Sequence, residues 1–112
     1  ENIPLKIVVF NNGNHGMVRQ WQKIFYNNRF SASELTHHTP DYVKLAEAMG
    51  AVGLRMEQKS EVKDVFEKML EINDKPVLVD CVVDPDDMVF PMVPAGGSND
   101  VIILNEEDLK EL

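Results

Sequence analysis

Three short runs of apolar residues, each closed by turn-forming or charged residues, alternate along the chain with stretches whose apolar positions recur every three or four residues. Ile7 to Phe10 is the first run, rich in β-branched and aromatic side chains as a strand buried on both faces would be. It stops at Asn11-Asn12-Gly13-Asn14, residues that tolerate positive φ and offer side-chain oxygens while the backbone reverses. Beyond Gly16, Met17, Trp21 and Ile24/Phe25 fall on one face of a helix. Asn27 to Thr39 has little periodicity and reads as a loop, long for a connector and of the length that serves as a lid or binding loop.

Thr39-Pro40-Asp41 then starts a helix as a cap, a first-position proline and a first-turn acid. Tyr42, Val43, Leu45, Ala46 and Met49 form its apolar face, and Gly50 ends it. Ala51 to Met56 is a second strand, and Ser60-Glu61 opens a helix with Val62, Val65, Phe66, Met69 and Leu70 inward. Val77 to Val83 is the third buried strand. The order β, α, α, β, α, β predicts an α/β fold, a partial three-layer parallel sheet with right-handed crossovers. After Asp84 no core face recurs, so residues 1–83 read as the α/β domain and 84–112 as an extended C-terminal tail, with one weak helical turn at Glu106 to Leu112. A three-stranded sheet leaves edges for more protein to cover. With a first residue of Glu1 rather than methionine, the chain reads as a piece of something longer.

Composition narrows the function classes. Eleven basic and nineteen acidic residues give a net charge of −8, without a basic patch, which argues against nucleic acid as a partner. No apolar segment approaches a membrane span. The single cysteine, Cys81, can form no intramolecular disulfide and fits a reducing compartment.

In open α/β sheets, ligands bind at the loops that leave the carboxyl ends of the strands, so the turn after the first strand is the place to look for function. On its residues alone, Asn-Asn-Gly-Asn is either a plain reversal or a magnesium site. An octahedral Mg²⁺ takes oxygen ligands, and an amide oxygen from Asn12 and a carbonyl from Asn14 would fill two positions if a carboxylate arrived from elsewhere. Earlier in the chain, only Glu1 could bring one. The amides that open the Gly16 helix add a seat for phosphate anions. His15, His37 and His38 lack zinc-site spacing and read as solvated loop residues. No serine sits in a nucleophile elbow. The Met17/Trp21/Phe25 stripe reads as core unless the turn before it holds a ligand.

The stretch Lys6-Ile-Val-Val-Phe-Asn-Asn-x-x-x-Gly16-Met-Val-Arg-Gln-Trp21 resembles the C-terminal end of the catalytic (large) subunit in the acetohydroxyacid synthase, or acetolactate synthase, family. So do Phe25-Tyr26, Arg29-Phe30-Ser31, Pro40-Asp-Tyr-Val-Lys-Leu-Ala-Glu-Ala-Met-Gly50, Gly53-Leu-Arg55 and Pro91-Met-Val-Pro-Ala-Gly-Gly97. The resemblance runs over nearly the whole chain, and Gly-Met-Val-Arg-Gln-Trp with the Pro-Met-Val-Pro tail is its most specific part. It implies the C-terminal portion of a thiamine-diphosphate-binding fold. The implied reaction decarboxylates pyruvate on thiamine diphosphate and joins the hydroxyethyl unit to pyruvate or 2-ketobutyrate, at the entry to branched-chain amino-acid biosynthesis.

By that resemblance Asn12 binds Mg²⁺ through its side chain and Asn14 through its main-chain oxygen. His15, Gly16 and Met17 join them around the cofactor, and Met17, Val18 and Trp21 line the substrate channel, Trp21 favouring 2-ketobutyrate. Asn14 to Asn28 matches a mobile loop, and Asp84 onward a C-terminal lid. The partners implied are the rest of the catalytic subunit, a homodimer or tetramer of the parent and a regulatory small subunit, with FAD bound outside this segment. The location implied is a bacterial cytoplasm or a eukaryotic organelle. Two parts of the family pattern are absent from these residues: the Gly-Asp-Gly that brings the metal's carboxylate, and the glutamate that activates the cofactor. His15 also stands where the family more often carries Leu or Gln. The expectation is therefore that the chain carries no catalytic residue and is inactive alone. The alternatives are a fragment of another thiamine-diphosphate carboligase or decarboxylase, and a non-catalytic protein-association module.

Overall fold

A computed structural model describes residues 3–35 and 38–111. Strands β1 (Lys6–Asn11), β2 (Val52–Met56) and β3 (Val77–Val82) form one parallel sheet in the order β1-β3-β2. Helices α1 (Gly16–Phe25), α2 (Tyr42–Ala48) and α3 (Val62–Glu71) complete the predicted order, with short 3-10 turns at Lys59–Glu61 and Asp108–Glu111. The chain divides into two compact units, one made of residues 1–14 and 35–85 and the other of residues 15–34 and 86–112.

The first unit holds the sheet. Strand alternation sends Val52, Leu54 and Met56 of β2, with Val77, Val79 and Cys81 of β3, to the face that packs with Val65, Phe66 and Met69 of α3. Val77 and Val79 are fully buried, each worth roughly 1.5–3 kcal/mol relative to exposure. The other face meets α2. A Cβ on Gly53 would come within 2.6 Å of the Val43 carbonyl oxygen, so the helix lies closer to β2 than any side chain at that position allows. Helices on both faces of a parallel sheet give the three-layer arrangement expected.

Several local expectations need correction. β1 is an edge strand rather than one buried on both faces, and Phe10 is 74% exposed. The cap of α2 is Asp41, not Thr39: the Asp41 carboxylate accepts from the Val43 and Lys44 N–H groups, whereas the Thr39 hydroxyl donates to the Leu35 carbonyl. Leu45 and Met49, read as inward, are exposed, because α2 turns its Val43/Ala46 side to the sheet, Val43 against Gly53 and Ala46 buried. Val62 and Leu70 of α3 are likewise exposed, and Met69 is its buried residue. The turn that leads into α3 starts two residues before Ser60, at Gln58, whose side chain and that of Glu61 form a reciprocal capping box on the 3-10 turn Lys59–Glu61.

The second unit holds α1 and the C-terminal segment. Here the Met17/Trp21/Phe25 stripe is not core: Met17 is 53% exposed, and the buried residue of α1 is Gln20. The segment after Asp84, read as extended, doubles back so that Met92 and Ile103 exchange backbone hydrogen bonds of 2.9 and 2.8 Å, with Ile103 buried.

Candidate functional site

At the carboxyl end of β1 the three asparagines build a turn from their own side chains. Asn11 Oδ1 accepts from the Gly13 N–H at 3.0 Å, and Asn12 Oδ1 accepts from the Asn14 N–H at 3.1 Å. Asn14 Nδ2 donates back to the Asn12 carbonyl at 2.5 Å. Gly13 has φ +65°, which a residue without Cβ adopts at no steric cost. These are the short side-chain-to-backbone bonds by which asparagine competes with regular structure.

Oxygen donors are left over. Asn12 Oδ1 has a second lone pair beyond the one given to Asn14. Asn14 Oδ1 is buried and has no hydrogen-bond partner among the described residues, a situation that costs on the order of 1–3 kcal/mol unless something else takes it up. Two neutral amide oxygens on one tight turn suit a hard divalent cation, which prefers oxygen and accepts one or two protein groups. Thus the residues present fit the metal read from the sequence. The unpartnered atom is, however, the Asn14 side-chain oxygen, while the resemblance implies its main-chain oxygen. No cluster of three or more His, Cys, Asp or Glu side chains among the described residues could hold a metal. Glu1 and His37 lie outside those residues, and His38 is exposed.

Beneath the turn lies a polar group that sequence reasoning passed over. Asp80, in the central strand, is 1% exposed. One carboxylate oxygen accepts from Asn11 Nδ2 at 3.0 Å and the other from Arg55 Nε at 3.1 Å. Arg55 reaches on to the Asp41 carboxylate at 2.9 Å, the same group that caps α2. The hydrogen bond to Asp80 holds the Arg55 guanidinium above its ordinary range. The Lys44 N–H, helped by the charge of Arg55, holds the Asp41 carboxyl below its own. A signal was available: an acid inside the run Val77 to Val83 and a base inside Ala51 to Met56 are charges in buried strands, which occur almost only when paired. Asp80, with one oxygen held by Asn11 and the other by Arg55, supports the turn from beneath.

The other predicted site residues belong to the second unit. His15 is exposed, its N–H donates to the Ser33 carbonyl, and its side chain makes no capping bond to α1. With no acid in the first turn either, no side chain on α1 itself competes for the amides that follow Gly16. Met17 and Val18 are each about half exposed, and Trp21, half-buried, packs on Phe25 with ring centroids 5.1 Å apart. Arg19 joins Glu34 at 2.8 Å and Asp86 at 2.9 Å while lying 3.9 Å over the Phe30 ring. An open cavity of about 460 Å³ lies between Gln22, Tyr26, Arg29, Phe30 and Ser31. No helix among the described residues is long and apolar enough to cross a membrane.

Comparison with known proteins gives the family. Residues 1–81 match the family described as thiamine pyrophosphate enzyme, C-terminal TPP binding domain. An acetolactate synthase of Mycobacterium bovis is 53% identical over 105 residues, covering 91% of this chain and 17% of the relative. The acetolactate synthase large subunit of Corynebacterium glutamicum is 47% identical over 102 residues, covering 88% of this chain and 16% of that protein. The mitochondrial acetolactate synthase catalytic subunit of Aspergillus candidus is 37% identical over 110 residues, 97% of this chain and 15% of its own length. The chain thus spans about a sixth of the length of the curated relatives it matches.

Proposed function

We propose, from the premise that this chain belongs to the thiamine pyrophosphate enzyme family as its C-terminal TPP-binding domain, that it is the C-terminal part of an acetolactate synthase catalytic subunit. The whole enzyme decarboxylates pyruvate and ligates the two-carbon unit to pyruvate or 2-ketobutyrate. The likeness to acetolactate synthases across about nine-tenths of the chain supports the choice within the family. The observation that carries the site is the Asn12–Asn14 turn, with a buried amide oxygen that has no hydrogen-bond partner among the described residues.

In this reading Asn12 and Asn14 would hold Mg²⁺, which would supply positive charge for the cofactor's diphosphate. When bound, thiamine diphosphate supplies an electron sink for the carbon that loses carbon dioxide. The protein's contribution is placement and exclusion of water. The turn presents fixed oxygens to a cation without having to reorganise, since its own hydrogen bonds already set Asn12 and Asn14. In the second unit His15, Gly16 and Met17 contribute to the cofactor side, and the uncapped amides at the start of α1 favour an anion. Met17, Val18 and the Trp21/Phe25 pair give a channel wall of apolar surface that keeps water from the reacting carbon. Trp21 selects the acceptor, because a flat apolar ring rewards one extra methylene by about 1 kcal/mol.

The 112 residues alone are expected to make no acetolactate, since the Gly-Asp-Gly that would bring the metal's carboxylate is absent from them. The partners are the remainder of the catalytic subunit, a second copy of it and a regulatory subunit, with FAD bound elsewhere in the parent. The test supplies the complete enzyme with pyruvate, Mg²⁺ and thiamine diphosphate, with and without 2-ketobutyrate, and measures acetolactate and acetohydroxybutyrate by mass. Formation of both supports the reading. Decarboxylation to free acetaldehyde, or ligation only to other aldehydes, assigns the chain to a different enzyme of the same cofactor class. Turnover by the isolated 112 residues overturns the claim that they are incomplete.

A further inference from the structure

Asp80 is the one fully buried acidic side chain among the described residues, and its two hydrogen bonds run to the two strands that flank β3. Its neighbours dictate what each can do. A carboxylate paired with Arg55 only accepts, and a backbone N–H only donates. Asn11 stands between the Asp80 carboxylate and the Gly13 N–H, so its amide has one orientation that satisfies both: NH₂ toward Asp80 and oxygen toward Gly13. Flipped, the amide would set oxygen against oxygen and donor against donor. The carboxylate therefore fixes the sense of the Asn11 amide, and the amide fixes the Gly13 N–H on which the turn closes.

Register makes this relay short. Asn11 and Asp80 lie on the same sheet face, on neighbouring strands, with Asp80 paired to Val9 two residues before Asn11. On the other side Arg55 pairs directly with Asp80 and ties it to the Asp41 cap of α2. The relay begins at the centre of the sheet and ends one residue from each of Asn12 and Asn14.

We propose that Asp80 is a positioning residue for the metal-binding turn, acting through Asn11 and Gly13 rather than by touching the metal. This rests on the reading of Asn12 and Asn14 as Mg²⁺ ligands. Groups that orient metal ligands without touching the metal commonly change its affinity by about 10- to 100-fold when removed, and the Asp80 relay belongs in that class.

An exchange experiment in the complete enzyme tests it, with Mg²⁺ affinity read by calorimetric titration at saturating thiamine diphosphate. In Asp80→Asn, Arg55 claims the new amide's oxygen, its NH₂ faces that of Asn11, and the turn loses its fixed sense. Adding Asn11→Asp exchanges the two groups: the amide at position 80 donates, and the carboxylate at position 11 accepts both it and the Gly13 N–H. Asp80→Asn is expected to raise the Mg²⁺ dissociation constant at least about tenfold, and the exchange variant to return it close to the parent value. A purely structural role would lower the denaturation midpoint of Asp80→Asn and leave the Mg²⁺ constant alone, which would overturn the proposal. A folded exchange variant that binds no better than Asp80→Asn would do the same. If Asp80→Asn does not fold, Asn11→Ala keeps the Asp80–Arg55 pair and removes only the relay: weakened Mg²⁺ binding supports the proposal, and unchanged binding overturns it. Asn12→Ala separates the two levels. Loss of binding there with none in the relay variants sinks this inference alone, whereas undiminished binding in Asn12→Ala sinks the metal reading beneath it.

Discussion

Gln20 and Val89 face each other as two strands do: Gln20 Nε2 donates to the Val89 carbonyl at 3.0 Å, and the Val89 N–H donates to Gln20 Oε1 at 2.8 Å. A side-chain amide has the same donor and acceptor as a peptide group, so one buried glutamine pairs the backbone of a segment that has no strand beside it at this point. Replacing Gln20 with Ala leaves both Val89 groups without that partner, at about 1–3 kcal/mol each where they stay buried. Faster amide exchange and earlier proteolytic cutting in residues 86–92 of Gln20→Ala are the expected result. Glu at position 20 is expected to do no better, since it has no donor for the Val89 carbonyl.

Gly53 makes a sharper packing prediction. Its missing Cβ is what lets the Val43 backbone lie against β2, with 2.6 Å available to the carbonyl oxygen. Gly53→Ala must push α2 away from the sheet, and overpacking of this kind costs about 1–3 kcal/mol. A lowered urea midpoint with an unchanged slope checks it; a fully stable Gly53→Ala would mean that α2 is not held where described.

Acid should loosen the chain at identifiable points. Folded Asp41 titrates below its ordinary value, chiefly through the Lys44 N–H, and Asp86 does so chiefly through Arg19. An acid whose pKa is lower folded than unfolded contributes fully above the unfolded value, about 3.9 for aspartate, and its contribution vanishes as pH falls through the folded value. Protection of the first turn of α2 is thus expected to hold at neutral pH and to fall as pH drops below about 4. Asn is as good a cap as Asp, so Asp41→Asn should keep most of that protection and lose its acid dependence. Amide exchange of residues 41–50 between neutral pH and pH 3 reads both.

The acceptor preference should follow Trp21. Replacing the ring with Leu removes the apolar face that favours the larger keto acid, so the ratio of acetohydroxybutyrate to acetolactate is expected to drop about fivefold or more. An unchanged ratio in competition between pyruvate and 2-ketobutyrate would remove Trp21 from the channel wall.

How far the sequence carried these conclusions depended on the kind of interaction. Short apolar runs placed all three strands, and apolar positions recurring every three or four residues placed the three helices. The pattern failed where a single tertiary contact decides the outcome. Leu45 and Met49 have the spacing of an inward face, but the contact of Val43 with Gly53 sets the Val43/Ala46 side of α2 against the sheet and leaves them exposed. Gln20 is polar, yet it is the buried residue of α1, because a backbone segment nearly seventy residues later supplies its hydrogen bonds. The Asn-rich turn was legible from residue type. Its support by Asp80 and Arg55 was not, since strand order and register set which charges meet and the sequence does not print either.

The central claim is that the Asn12–Asn14 turn holds the metal of a thiamine-diphosphate enzyme. Calorimetric titration of Mg²⁺ into the complete enzyme at saturating thiamine diphosphate, comparing the parent with Asn12→Ala, tests it most directly. The account predicts tight binding by the parent and its loss in Asn12→Ala, with the denaturation midpoint of the metal-free protein little changed. Equal Mg²⁺ affinity in the two proteins would contradict it.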